Sequence, residues 1–260
     1  RASSAAPAPR ASSEPASPTT ADMLRAITLD YWDTIYSGAS EPVRIERRRE
    51  VLLRMLARLG HTADPLEFEA LYRASAAEAE RWWREEHRGY TTAERIHWLL
   101  GQLSITRPPD CEHMAVAIEE IDRTLTELPP PMLPGAREAL ARLGERYALA
   151  IVSDTGFVSG TAQDRLLAQD GVRDRFTATI YSMDIGHAKP RPEPFHAALT
   201  ALGVAPHEAL HVGDIERTDI AGALGVGMRA IRLDAVRKGG PTRAEHVAES
   251  LTALADYLTR

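Results

Sequence analysis

Short apolar runs that stop on a polar side chain recur along the chain. Residues 25–30 (RAITLD), 148–153 (ALAIVS), 177–182 (TATIYS), 209–214 (ALHVGD) and 228–233 (MRAIRL) are too short for independent helices and read as buried strands. Helical patterns lie between them. Residues 134–145 carry Leu140 and Leu143 on one face, residues 192–202 open on prolines and stop before Gly203, and residues 219–224 precede Gly225. Strands alternating with helices predict an α/β fold, a Rossmann-like parallel sheet covered on both faces. Ligands in such sheets bind beyond the carboxyl ends of the strands. Asp30, Ser153 and Asp214 fall at three of those ends.

The interval from 37 to 130 has a different texture. Its pattern predicts helices over 41–59, 65–86, 92–103 and 110–128, with Thr92 and Asp110 as N-caps, and the Pro129-Pro130-Pro131 run breaks the chain. This predicts a helical-bundle cap (37–130) inserted into a core made of residues 23–36 and 131–260. The apolar residues of the insert, Trp82 and Trp83 included, read as bundle core. Residues 1–22 are rich in Ala, Ser and Pro and lack the apolar stretch of a secretory signal. Such a segment buries too little apolar surface to offset its ordering entropy, which predicts a disordered tail.

Composition narrows the function classes. The chain has 260 residues, 44% hydrophobic and 26% charged, as expected of a globular protein. Its formal net charge of -6 argues against a general nucleic-acid binder, and no apolar run approaches the roughly 20 residues that span a bilayer. One cysteine, Cys111, excludes an internal disulfide, and no Cys/His cluster has zinc-like spacing. A cytoplasmic location is the default that follows.

Four segments carry candidate chemistry: LDYWDTI (29–35), IVSD (151–154), GHAKPRPEPF (186–195) and HVGDIERTDIAGA (211–223). Phosphoryl transfer to a carboxylate brings two anions together, so their charge must be neutralised. A hard cation such as Mg²⁺ on oxygen ligands does this, and Asp30, Asp214 and Asp219 could supply the oxygens. Lys189 adds a fixed positive charge and Ser153 a hydroxyl donor. A carboxylate can also act as a covalent nucleophile, dividing one hard step into two.

On these segments the chain resembles the haloacid dehalogenase-like hydrolases, in their subfamily with a helical C1-type cap between the first two motifs. The resemblance extends from about Met23 to Leu258, and KPRPEPF and GDIERTDIAGALGVGMRAI are its most specific stretches. It implies Asp30 as nucleophile, with Ser153, Asp154 and Lys189 around the transferred group of a small phosphorylated substrate. It also implies Mg²⁺ on Asp30, Asp214 and the backbone carbonyl of Trp32, with Asp219 as ligand or support.

One departure matters. The family's phosphatases carry an acid/base aspartate two residues after the nucleophile, and here that position is Trp32. Asp33 lies one residue further, where the side chain takes another direction. A smaller departure is Asp154, which stands where Asn is common. Loss of general acid/base help slows a reaction roughly 10²–10⁴-fold, so ordinary phosphate monoesters are expected to turn over slowly unless His87 or His97 supplies the proton. Two other readings stay open: a metal-independent 2-haloacid dehalogenase, and a pseudo-hydrolase that binds a phosphometabolite or partner protein. The family's phosphonate-cleaving members need a Schiff-base cap lysine, and the absence of lysine from residues 37–130 argues against that chemistry.

Overall fold

The computed structural model describes residues 24–39, 42–106 and 111–260. Six strands form one parallel sheet in the order β3-β2-β1-β4-β5-β6. They are β1 (Ala26–Leu29), β2 (Ala148–Ser153), β3 (Phe176–Tyr181), β4 (Ala209–Gly213), β5 (Arg229–Leu233) and β6 (His246–Ala248). The chain grows outward from β1 through β2 to β3, then returns to the other side of β1 with β4. That reversal places the topological switch point at β1, where a crevice opens at the carboxyl edge.

The two faces of the sheet divide by side-chain size, following the two-residue period of a strand. Ile27, Leu29, Leu149, Ile151, Leu210, Val212, Ile231 and Leu233 enter one large apolar cluster. Ala26, Ala209 and Ala230 enter a second cluster on the opposite face, where Phe195, Leu199, Ile220 and Ala223 cover them. The small residues let helices α8 (Pro192–Leu202) and α9 (Ala221–Gly225) lie close to the strands.

Helices α1 (Pro42–Arg58), α2 (Pro65–Arg84), α3 (Thr92–Gln102) and α4 (Glu112–Glu127) all fall between β1 and β2, as the sequence pattern predicts. Their apolar faces do not close on themselves. Leu52, Met55, Phe68, Tyr72, Ile96 and Ile121 belong to the same cluster as the strand residues. Helices α5 (Ala136–Gly144), α6 (Gly160–Gln169), a short α7 (Ser182–Ile185) and α10 (Leu251–Leu258) complete the layers. Among the described residues no helix is long and apolar enough to cross a membrane.

Details differ from the sequence reading. The N-cap of α3 is Thr91, whose side chain accepts from the Glu94 N–H while Glu94 reaches back to the Thr91 N–H. Thr92 is therefore already helical. The predicted Asp110 cap and the tail over 1–22 lie outside the described residues. Strand β6 escapes a pattern search because it has three residues. Asp219 belongs to a π-helical turn, Glu216–Ile220, that precedes α9.

Among the contacts between the insert and the sheet layer, one between backbones is especially tight. Gly89 N–H donates to the Gly186 carbonyl at 3.1 Å, and Ala188 N–H donates to the His87 carbonyl at 3.0 Å. A Cβ at Gly89 would stand 1.8 Å from the Ser182 carbonyl oxygen, a backbone atom that cannot swing away. Gly89→Ala is therefore expected to destabilise the fold by about 1–3 kcal/mol, read as a lowered Tm in thermal melts. An unchanged Tm would show that this contact has slack.

Candidate active site

Asp30 follows β1 directly, and its N–H donates to the Val212 carbonyl at 2.8 Å, so the ladder to β4 continues through the nucleophile candidate. Asp214 follows β4 in the same way. Lys189 comes from the segment between α7 and α8. Its Nζ donates to Asp30 Oδ1 at 2.6 Å, to Asp219 Oδ1 at 2.7 Å and to the Val152 carbonyl at 2.9 Å. Those three bonds use every hydrogen of the ammonium. Lys189 is only 2% exposed, so the bonds form away from water.

Asp219 is fixed from behind. Its Oδ2 accepts from the Ile215 N–H at 2.8 Å, and its Oδ1 lies 3.4 Å from His211 Nε2. The other ring nitrogen of His211 lies 2.8 Å from Thr28 Oγ1. With Thr28 donating to Nδ1, the proton of the neutral ring sits on Nε2 and points at Asp219. Burial holds His211 below its ordinary pKa, which keeps it neutral. Gly213 makes room for this set: a Cβ there would meet Asp219 Cγ at 2.4 Å.

Asp30, Asp214 and Asp219 present carboxylate oxygens within 4.8 Å of one another, and all three are buried. Burial and the neighbouring carboxylates raise Asp30 well above the ordinary range, against the pull of Lys189. Burial and Asp219 push Asp214 up to about 7, with Arg237 opposing. Asp219 goes the other way: burial would raise it, but Lys189 and His211 hold it well below the usual carboxylate range. One buried ammonium thus faces three carboxylates, and two of them remain under-neutralised.

The other residues singled out from sequence divide. Trp32 lines the cavity above Asp30, and its ring meets Tyr31 edge-on. Asp33 also lines the cavity at a backbone φ of 54°, with Oδ1 accepting from the Gly38 N–H at 2.7 Å. It holds a turn. Ser153 reaches the end of β2, but its hydroxyl donates to Gln163 Oε1 at 3.0 Å, and the residue is outside the cavity lining. Asp154 lines the cavity and accepts from the Lys189 N–H at 3.0 Å and from the indole of Trp83 at 2.9 Å. Trp82 packs in the insert beside Tyr90, but Trp83 does not belong to the bundle core as expected; it faces the cavity. Neither His87 nor His97 lines the cavity.

The cavity measures about 430 Å³, a size suited to a small metabolite. Its floor is Asp30, Lys189, Asp214 and Asp219, and its roof comes from α1, α2 and α3. Arg237, from the segment after β5, brings Nε to 3.1 Å from Asp214 Oδ2 and a second nitrogen to 3.4 Å from Asp33 Oδ2. Thr28, His211 and Arg237 had no role in the sequence reading, and Trp83 had only a structural one. Of these, only His211 stands inside a quoted motif, and no spacing rule aims it at Asp219.

Comparison with known proteins identifies the family. The haloacid dehalogenase-like hydrolase family matches residues 24–227. A glyceraldehyde 3-phosphate phosphatase of Methanopyrus kandleri is 30% identical over 214 residues, 81% of this chain and 84% of that protein. A phosphoserine phosphatase of Thermus thermophilus is 36% identical over 104 residues, 40% of this chain, and the match spans only 41% of that protein. The crystal structure of a 2-haloacid dehalogenase from Pseudomonas syringae shares the fold at a TM-score of 0.67 and 23% identity, covering 92% of this chain and 99% of that one. The family match runs from β1 past the π-helical turn and so takes in Asp30, Lys189, Asp214 and Asp219, which makes this chain a haloacid dehalogenase-like hydrolase.

Proposed function

We propose that the protein is a Mg²⁺-dependent phosphatase that transfers the phosphoryl group of a small phosphorylated metabolite to Asp30. The observation that carries this reading is the buried Asp30–Lys189–Asp219 triad beside Asp214, opening on a cavity of metabolite size. Phosphatase names among the relatives support it.

The site fits the cation. Its donors are hard carboxylate oxygens, the composition Mg²⁺ prefers. Asp214 Oδ2 is buried without a hydrogen bond aligned on it, although Arg237 stands nearby. Asp30, Asp214 and the carbonyl of Trp32 would hold the ion, which supplies positive charge to the phosphoryl oxygens. Both oxygens of Asp219 are engaged, so Asp219 acts by aiming Lys189.

The protein's own groups then do the following. Lys189 neutralises Asp30 and the incoming phosphate while holding the carboxylate in line. Asp30 attacks phosphorus, forming an acyl phosphate as the ester P–O bond breaks. Trp32 has no acidic proton to give, and Asp33 is bound to its turn, so the leaving oxygen is protonated by water. Water next attacks phosphorus, the acyl P–O bond breaks, and orthophosphate leaves with Asp30 restored. Ser153 stays with Gln163 and contributes to the strand end rather than to the phosphate.

Phosphate release from acetyl phosphate and p-nitrophenyl phosphate is expected to need Mg²⁺, and Asp30→Asn is expected to lower kcat at least about a thousandfold. Full activity in that variant would remove Asp30 as nucleophile. If the wild type releases no phosphate but frees chloride from 2-chloropropionate without metal, the dehalogenase reading replaces this one.

Because no acid is poised over the leaving group, acyl and aryl phosphates are expected to outrun unactivated alkyl phosphates roughly 10²–10⁴-fold. Comparable kcat values across that series would reveal a proton donor among the cavity residues.

The raised pKa of Asp214, about 7, sets a pH dependence. Below pH 7 the proton competes with the cation, so apparent Mg²⁺ affinity should fall about tenfold per pH unit as pH drops and level off above 8. Calorimetric titration with Mg²⁺ between pH 5.5 and 8.5 checks this, and a flat profile would exclude Asp214 as a ligand.

A further inference from the structure

The roof of the cavity carries two guanidiniums that no carboxylate answers. Arg95, on α3, is 6% exposed. Its Nε donates to Ser75 Oγ at 3.1 Å, and its guanidinium lies 4.0 Å from the ring centre of Phe157. Arg48, on α1, is half-buried, and its Nε donates to Thr124 Oγ1 at 3.1 Å. Both line the cavity, and among the described residues neither forms an ion pair.

The contrast with their neighbours is sharp. On the same helix as Arg48, Arg47 pairs with Glu50, Arg49 with Glu46, and Arg54 with Glu120. The acid that the described insert residues contribute to the cavity, Glu80, pairs with Arg84. The nearby polar groups are the hydroxyls of Tyr72 and Tyr90, which hydrogen-bond Arg95. Burial pulls Arg48 and Arg95 below the ordinary arginine value, and each repels the other. A guanidinium nevertheless stays charged in a protein. Among the described residues the two cations are held only by hydroxyls, Arg95 by Ser75, Tyr72 and Tyr90 and Arg48 by Thr124 and Tyr72, so neither has a counter-charge, and a guanidinium's planar fork suits a bidentate anion that would supply one.

The floor of the same cavity already has its own cation for a phosphoryl group, Lys189. We propose that Arg48 and Arg95 form a subsite for a second anionic group, so that the substrates are small phosphate monoesters bearing a carboxylate or a second phosphate at the far end. This rests on the phosphatase reading for the floor, but not for the roof. Arg95 stacked on Phe157 also joins the insert to the segment after β2, so an anion held there would brace both walls.

The test uses the full chain with Mg²⁺ and three substrates with a common primary alkyl leaving group: 2-phosphoglycolate, ethylene glycol bisphosphate and 2-hydroxyethyl phosphate. At least one anionic substrate is expected to exceed the neutral one in kcat/KM by about tenfold or more, and which one wins identifies the anion. Arg95→Gln and Arg48→Gln should each collapse that ratio, mainly through KM, with Arg95→Lys keeping part of it. Arg47→Gln, on the solvent side of α1, should leave it unchanged. Arg48→Gln also guards against misfolding of the more buried Arg95 variant, with circular dichroism as the check.

Turnover with a ratio near one would overturn the subsite and leave the phosphatase reading standing. Calorimetry of phosphoglycolate and of the bisphosphate on Asp30→Asn supplies a readout independent of turnover. Binding that weakens tenfold or more on adding Arg95→Gln supports the subsite even if the wild type never releases phosphate, the result that sinks the reading of the floor. Binding indifferent to both arginines overturns the subsite.

Discussion

A single ammonium group holds carboxylates from two separate parts of the chain, Asp30 at 2.6 Å and Asp219 at 2.7 Å, where all three side chains are buried. Opposite charges attract strongly where the dielectric is low, and each would be costly to bury alone. The site is therefore interdependent. Without Lys189, two buried carboxylates lose their counter-charge; without Asp219, the ammonium loses its orientation. The glycine at 213, the neutral His211 and the hydroxyl of Thr28 all serve the placement of Asp219.

The sheet makes this arrangement possible by sorting its residues. Thr28 and His211 are register partners on neighbouring strands, and they occupy the face otherwise lined with alanines. Polar side chains on that face can approach each other because little bulk separates them. The opposite face takes the large aliphatic residues and merges with the insert, so that roof and floor share one apolar cluster. Stability and access are coupled as a result: the apolar contacts that hold the insert down also shape the cavity.

The sequence made the broad plan legible for identifiable reasons. Strand runs ending on Asp30 and Asp214 are visible because a buried parallel strand is continuously apolar and its terminal carboxylate interrupts the run. The insert is visible through its helical period and the proline run that closes it. Other features left no local trace. Trp83 and Trp82 are adjacent and chemically identical, and only the rotation of α2 decides which one packs inward and which reaches Asp154. Ser153 sits at the expected strand end, but its rotamer depends on Gln163, ten residues along on α6. Arg48 and Arg47 are likewise neighbours, and which of them faces the cavity depends on how α1 meets α4.

The contact between residues 87–89 and 186–188 has a consequence for how such a protein can diverge. The insert's loop is hydrogen-bonded to the backbone immediately ahead of Lys189, with no space for a side chain at Gly89. A change in that loop's length would be transmitted directly to the ammonium that organises the nucleophile. Substitutions on the inner faces of α1 and α3 reach the same cavity without passing through that joint. Evolution of new specificities would thus be channelled into side-chain exchange on the helices, while the joint at residues 87–89 would resist any change in the loop's length.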